Sequence, residues 1–399
     1  MKDEEIFDQH NQLSISNLEK LFRRILHRIW EEDPENGANQ LPPLMIWGAP
    51  GLGKSTVVRD LAREFGVGFI DVRLAQREPV DIRGLPVPRE NGVEWLVSAE
   101  WPRDPKSKGI IMFDELTAAD RSLQVAAYEF ILDRRLGNLY SVPPGWYICA
   151  AGNRITDRAV ATTMSSALAN RFMHVELQCD TEAWIQWAVT HEVHPSVTGF
   201  IRFRPEQLFN TENENLERGW PSPRSWARVS SILNLFSGQD LEELRYAVYG
   251  LVGNRAGVEF MAFHKINVEL DDIRALMLDP ALPIMIPDKA DRRYALCAAM
   301  IYYLWHGQTA KEQQKLLDGF FRISLCLPSD FAAMTMTDAM RARKGGAEIL
   351  YKHPQYQEWL KRHGKAFARR RSPCAPRIKK KKRSKRKRHN CWNMTGSDC

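Results

Sequence analysis

The chain has 399 residues, 44% of them hydrophobic and 26% charged, a composition that fits a soluble globular protein of two domains or so. Its formal net charge is +7, but 16 of the 56 Lys and Arg, against one acid (Asp398), lie from Lys361 onward. Residues 1–360 keep 40 basic and 48 acidic residues, a net of −8, so the basic character belongs to a tail and excludes a nucleic-acid argument built on whole-chain charge.

The opening Met1-Lys-Asp-Glu-Glu5 is acidic and leads into no apolar segment, so no secretory signal is expected. The longest nearly apolar stretch, 294–305, is too short to span a bilayer, and no membrane association is expected. Cys149, Cys179, Cys297, Cys326, Cys374, Cys391 and Cys399 are scattered, without a C-x-x-C pair or a Cys/His cluster. Neither zinc nor a disulfide framework is expected, and the reading is a reducing, cytoplasmic setting.

Along the chain, residues 1–16 read as polar and loose. A helix follows with Ser16 as N-cap and Leu18, Leu21, Phe22, Ile25, Leu26 and Ile29 on one stripe, and 31–37 ends it. The apolar run 44–47 reads as a strand and runs straight into Gly48-Ala-Pro-Gly-Leu-Gly-Lys-Ser55. That stretch fits the phosphate-binding pattern G-x-x-x-x-G-K-[ST]. Its glycines let the backbone of Gly48, Ala49, Pro50, Gly51, Leu52 and Gly53 curl so that successive N–H groups point at one anion. The helix that continues through Thr56 adds the positive end of its dipole. Lys54 is expected to reach the β- and γ-phosphates of ATP, and the Ser55 hydroxyl to ligate Mg²⁺. Val57, Val58, Leu61, Ala62 and Phe65 recur at helical spacing, with Gly66 as C-cap.

A second strand is expected at 67–72, then a long insertion over 73–108. Inside it Asn91-Gly92 stands between short apolar segments, the favoured two-residue hairpin turn. The hairpin reads either as plain surface or as a mobile loop facing a substrate or a ring pore. A third strand, 109–113, ends in Asp114-Glu115. A helix is expected over 122–136, a small turn at Gly137-Asn138, a fourth strand at 146–151 ending in Gly152-Asn153, and a fifth at 172–177. Strands that alternate with helices after such a loop predict a parallel sheet with helices on both faces. From about residue 180 the strand signals fade. Helices are expected over 181–189, 225–236, 241–251, 271–278, 292–305, 311–325 and 347–361, and low complexity over 366–399 predicts a disordered tail.

Asp114 is placed to hold Mg²⁺ through its water shell, and Glu115 to polarise an attacking water. Asn153 can orient that water without repelling phosphate. Taken in order, 48–55, 110–115, Ala150-Ala-Gly-Asn153, Ala167-Leu-Ala-Asn-Arg-Phe172 and Ser222-Pro-Arg-Ser225 resemble an AAA+ ATPase, and within that superfamily the MoxR branch. The resemblance covers about residues 17–235. It implies an α/β fold: a P-loop AAA+ parallel sheet sandwiched by helices, followed by a helical lid and a further helical C-terminal region. It implies catalytic roles for Lys54, Glu115, Asn153 (sensor 1), Arg171 (arginine finger, offered to a neighbour's ATP) and Arg224 (sensor 2). It implies ATP and Mg²⁺ as cofactors, a homo-oligomeric ring, commonly a hexamer, protein remodelling as the output, and a partner with a von Willebrand factor A domain.

The segment 154–166 departs from the familiar MoxR spelling and supplies Arg154 and Arg158 as rivals to Arg171. The resulting domain reading is 1–40 as a lead-in segment, 41–180 as the nucleotide-binding core, 181–365 as lid and C-terminal helices, and 366–399 as the tail. The alternative function is a nucleic-acid-associated AAA+ motor or loader that uses the basic block at 369–388. A nucleotide switch with little turnover is a third reading, and the intact Asp114-Glu115 pair speaks against it.

Overall fold

The computed structural model describes residues 12–154, 157, 162–211, 218–236, 241–269 and 272–371. A short strand β1 (Gln12–Leu13) precedes helix α1 (Ile15–His27). Ser14 caps that helix, its hydroxyl accepting from Asn17 N, so the expected cap Ser16 falls inside the first turn. Ser14 has the extended backbone that a cap requires. The helix buries Leu18, Phe22, Ile25 and Leu26, widens into a π-helical turn over Arg28–Glu32, and is followed by the one-turn α2 (Gly37–Gln40).

Next come β2 (Leu44–Trp47), α3 (Lys54–Phe65) and β3 (Gly68–Arg73). Gly66, in the left-handed region, ends α3 by donating to the Ala62 and Arg63 carbonyls. The insertion folds as α4 (Pro79–Arg83) and an antiparallel hairpin of β4 (Leu85–Arg89) and β5 (Gly92–Leu96) about Asn91-Gly92. Then follow β6 (Gly109–Asp114), α5 (Arg121–Asp133), a small ladder of β7 (Arg135–Leu136) with β8 (Tyr140–Ser141), β9 (Trp146–Gly152), α6 (Ser166–Ala169) and β10 (Met173–Leu177). The helix expected to reach residue 136 stops at Asp133, because Arg134 turns left-handed and sends 135–136 into the ladder.

Six parallel strands form the sheet in the order β1-β10-β2-β9-β6-β3. The sheet has one strand more than the sequence suggests. Gln12–Leu13, expected to be loose, pairs with Glu176 and Leu177 and closes the β10 edge. The inner strands β6 and β9 are apolar on both faces, as a sheet covered on both sides demands. Alternate residues feed two cores: Leu44, Ile46 and Cys149 pack under α1 and α3, while Met45, Ile111 and Ile148 pack under α5.

After the sheet come α7 (Thr181–Thr190), α8 (Pro195–Phe203), α9 (Pro223–Leu235) and α10 (Leu241–Glu269), broken at Gly253. They share a core that includes Trp184, Phe200, Trp226 and Phe260. The remaining helices, α11 (Ile273–Leu278), α12 (Ala290–Leu304), α13 (Ala310–Cys326), α14 (Ser329–Arg341), α15 (Gly346–Lys352) and α16 (Tyr356–Arg371), build a separate core around Phe320, Phe321 and Trp359. The single helix expected over 347–361 is two, because Pro354 cannot continue α15. Residues 366–371, expected to belong to the tail, lie in α16, which continues to Arg371 with Phe367 buried. Residues 372–399, with most of the basic block, and the rival Arg158 lie outside the described residues.

Candidate active site

The site is built where β2, β6 and β9 end side by side. From Trp47 the chain turns through Gly48, Ala49, Pro50, Gly51, Leu52 and Gly53 into α3. Gly51 (φ 80°) and Gly53 (φ 91°) take left-handed backbone, and Gly53 is the N-cap of α3. Lys54 is buried beneath this loop. Its Nζ donates to the Gly48 carbonyl (2.5 Å), the Ala49 carbonyl (3.1 Å) and Asn153 Oδ1 (3.0 Å). Burial pushes its pKa down to about 8, against the pull of Asp114 and Asp157.

At the next residue, Ser55 Oγ donates to Asp114 Oδ2. The neighbouring Glu115 has φ 58°, left-handed for a residue with a side chain, and its N–H donates to Asp114 Oδ1 at 2.9 Å. That backbone costs about 1 kcal/mol or more. It swings the exposed Glu115 carboxylate off the line of β6. Asn153, at the end of β9, is fixed by Thr117: its N–H donates to Thr117 Oγ1 (3.0 Å), and that hydroxyl donates to the Asn153 carbonyl (3.2 Å). Gly152 makes the approach possible, since a Cβ there would lie 2.8 Å from the Thr117 side chain.

The lid reaches the same loop. Ser222 caps α9 in a reciprocal box with Ser225, and a Cβ on Gly51 would lie 2.9 Å from Ser222 Oγ. Arg224 donates its backbone N–H to the Gly51 carbonyl at 3.3 Å. Between lid and loop lies a cavity of about 300 Å³, lined by Gly51, Thr56, Glu19, Asp60, Trp187 and Arg224. It offers two indole rings, Trp184 and Trp187, and two carboxylate acceptors beside the glycine loop, and its volume suits a ring system.

Lys54, Ser55, Asp114, Asn153 and Arg224 thus gather at one place, with Glu115 at the rim. Arg171 does not join them. It stands exposed on the turn between α6 and β10, and Met173, the first residue of β10, pairs with Leu44 at the start of β2, the end of the sheet away from the loop. Arg154 is engaged by its own chain: Asp157 at 2.7 Å and Glu176 both hold its guanidinium. Thr117, Glu19, Asp60 and Trp187 were not singled out in the sequence. Only Trp184 and Trp187, three apart on one helix face, left a signal there.

The donor set fits Mg²⁺. Ser55 and Asp114 supply two hard oxygen groups in contact, and among the described residues no group of three or more His, Cys, Asp or Glu forms a metal cage. Mg²⁺ keeps water and phosphate oxygens and needs few protein ligands. The arrangement can therefore hold a polyphosphate and its cation, and present a carboxylate to water beside it.

Parallel sheet, loop and following helices together define the P-loop AAA+ fold with a helical C-terminal region. Residues 43–172 match the model of the AAA domain, dynein-related subfamily. No curated protein sequence matches the chain. Among solved structures it is similar to a mutant of RuvB from Thermotoga maritima, with 14% identity over 66% of this chain and 75% of that one and a TM-score of 0.35. It is also similar to NtrX from Brucella abortus in complex with ADP, with 14% identity over 86% of this chain and 68% of that one and a TM-score of 0.35. Among the described residues no helix is long and apolar enough to cross a membrane.

Proposed function

We propose that this chain is a cytoplasmic, Mg-dependent ATPase of MoxR-like kind that assembles into a ring, commonly a hexamer, and remodels protein complexes. The observation that carries the reading is the pairing of Lys54 with Asn153 and of Ser55 with Asp114, below an accessible Glu115. Lys54 leaves its carbonyl partners to meet the β- and γ-phosphates. Ser55 and Asp114 would hold Mg²⁺, which would supply charge neutralisation to the phosphates. Glu115 takes the proton of the attacking water, and Asn153, once released by Lys54, orients that water.

Arg224 approaches from the lid, and Arg171, away from its own subunit's site, serves the ATP of a neighbour. A guanidinium in that position is worth roughly 10³ to 10⁵ in rate. The exposed hairpin, with Leu85, Val93, Trp95 and Leu96 uncovered, is a client-facing element in this reading. A von Willebrand factor A domain protein is the partner the resemblance suggests.

Steady-state phosphate release tests the reading. Release is expected to require Mg²⁺ and to fall at least about 100-fold in Lys54→Ala and in Asp114→Asn. Release that persists in both variants would overturn it. Nucleic acid is expected to leave the rate unchanged; stimulation that disappears on deleting 372–399 would favour a nucleic-acid motor instead.

A further inference from the structure

Trp47 and His174 join the end of the phosphate-loop strand to the turn that carries Arg171. Trp47 is the last residue of β2, directly before Gly48, and Gly48 carries a carbonyl held by Lys54. Its indole Nε1–H donates to His174 Nδ1 at 2.8 Å. The other ring nitrogen of His174 lies 2.7 Å from the Ala169 carbonyl. Indole N–H can only donate and a carbonyl can only accept, so one tautomer satisfies both bonds: neutral imidazole with its proton on Nε2. The ring lies nearly parallel to Trp47, with centroids 6.0 Å apart at 18°, and is tilted against Phe172.

The Ala169 carbonyl also accepts from Phe172 N at 3.2 Å, which closes the turn around Arg171. Two residues further along the same face of β10, Glu176 holds Arg154, the neighbour of Asn153. Both ends of the nucleotide site therefore bear on β10, and β10 bears on the arginine turn.

We propose that His174, through Trp47, is a positioning residue that sets the Arg171 turn according to the state of the phosphate loop in its own subunit. The link rests on the reading of Arg171 as a trans arginine. Filling the loop draws Lys54 off the Gly48 carbonyl, and the movement at Gly48 passes through the indole and imidazole to Ala169. The subunit's own nucleotide then controls the arginine it offers to its neighbour.

The test is phosphate release from mixed rings of full-length subunits. As a control, Glu115→Gln mixed with Arg171→Ala is expected to regain activity, because the first binds ATP without hydrolysing it and so supplies a set arginine, and the second supplies a working loop. His174→Phe keeps a ring but loses both hydrogen bonds. Alone it is expected to lose about tenfold in kcat with little change in KM for ATP. Mixed with Glu115→Gln it is expected to recover; mixed with Arg171→Ala it is not. Trp47→Phe, which removes only the indole donor, is expected to show the same pattern more weakly and serves where His174→Phe does not fold. Recovery with Arg171→Ala instead, recovery with neither partner, or unchanged kcat in both variants would overturn the proposal while a working control leaves the trans reading standing. A control that fails to recover removes the trans reading and the proposal with it.

Discussion

Lys54 is the residue whose protonation ties the empty site to the filled one. Burial holds its pKa at about 8, so above that pH the empty loop contains neutral lysine. Polyphosphate favours the charged form, and ATP binding at pH 8.5 is therefore expected to take up a proton. Affinity should fall as pH rises above 8, by up to about tenfold per pH unit. Calorimetry in two buffers of different ionisation enthalpy reads the uptake directly; equal heats in both would contradict it. The glycine-loop pattern was legible in the sequence because its spacing is local: Gly48, Gly53, Lys54 and Ser55 lie within eight residues. Thr117 was not legible. Its two hydrogen bonds to the Asn153 backbone span 36 residues and exist only because β6 and β9 are neighbours. The same holds for Glu19, Asp60 and Trp187, which three separate helices bring to one cavity.

Among the elements, the lid helix α9 and the phosphate loop touch so closely that Gly51 has no room for a side chain. Gly51→Ala would strain a backbone at φ 80° and push on Ser222, moving Arg224 with it. ATP affinity is expected to drop about tenfold while the fold persists; an unchanged Kd by titration calorimetry would show that the lid contact is dispensable. The sheet strands were legible because buried parallel strands are continuous apolar runs. Helices α8 and α14 were not, and for one reason: both are buried on nearly every side. In α14 the interior positions include Thr335, Thr337 and Asp338, so no apolar stripe with a polar opposite face exists to be read. Strand β1 is two residues long, below the length at which alternation carries information.

At the level of the whole molecule, one buried ion pair fastens the C-terminal helices to the lid. Arg202 of α8 donates to both carboxylate oxygens of Asp338 in α14, at 2.9 and 2.7 Å, and reaches Glu182 of α7 at 2.5 Å. Removing the arginine leaves a buried carboxylate without its partner. Arg202→Met is expected to destabilise the chain by about 3 kcal/mol, seen as a lower midpoint in urea unfolding, while Arg202→Met/Asp338→Leu recovers much of the loss. Equal midpoints for wild type and single variant would deny the pair its role. This junction ties the lid to the part of the chain for which no motif is found.

All of this stands on the claim that the chain hydrolyses ATP with Glu115 as the base. Single-turnover hydrolysis by Glu115→Gln, read beside ATP binding on the same preparation, tests it most directly. ATP is expected to bind with wild-type affinity and to be hydrolysed at least about 100-fold more slowly. Hydrolysis at the wild-type rate by a variant that binds ATP normally would contradict it.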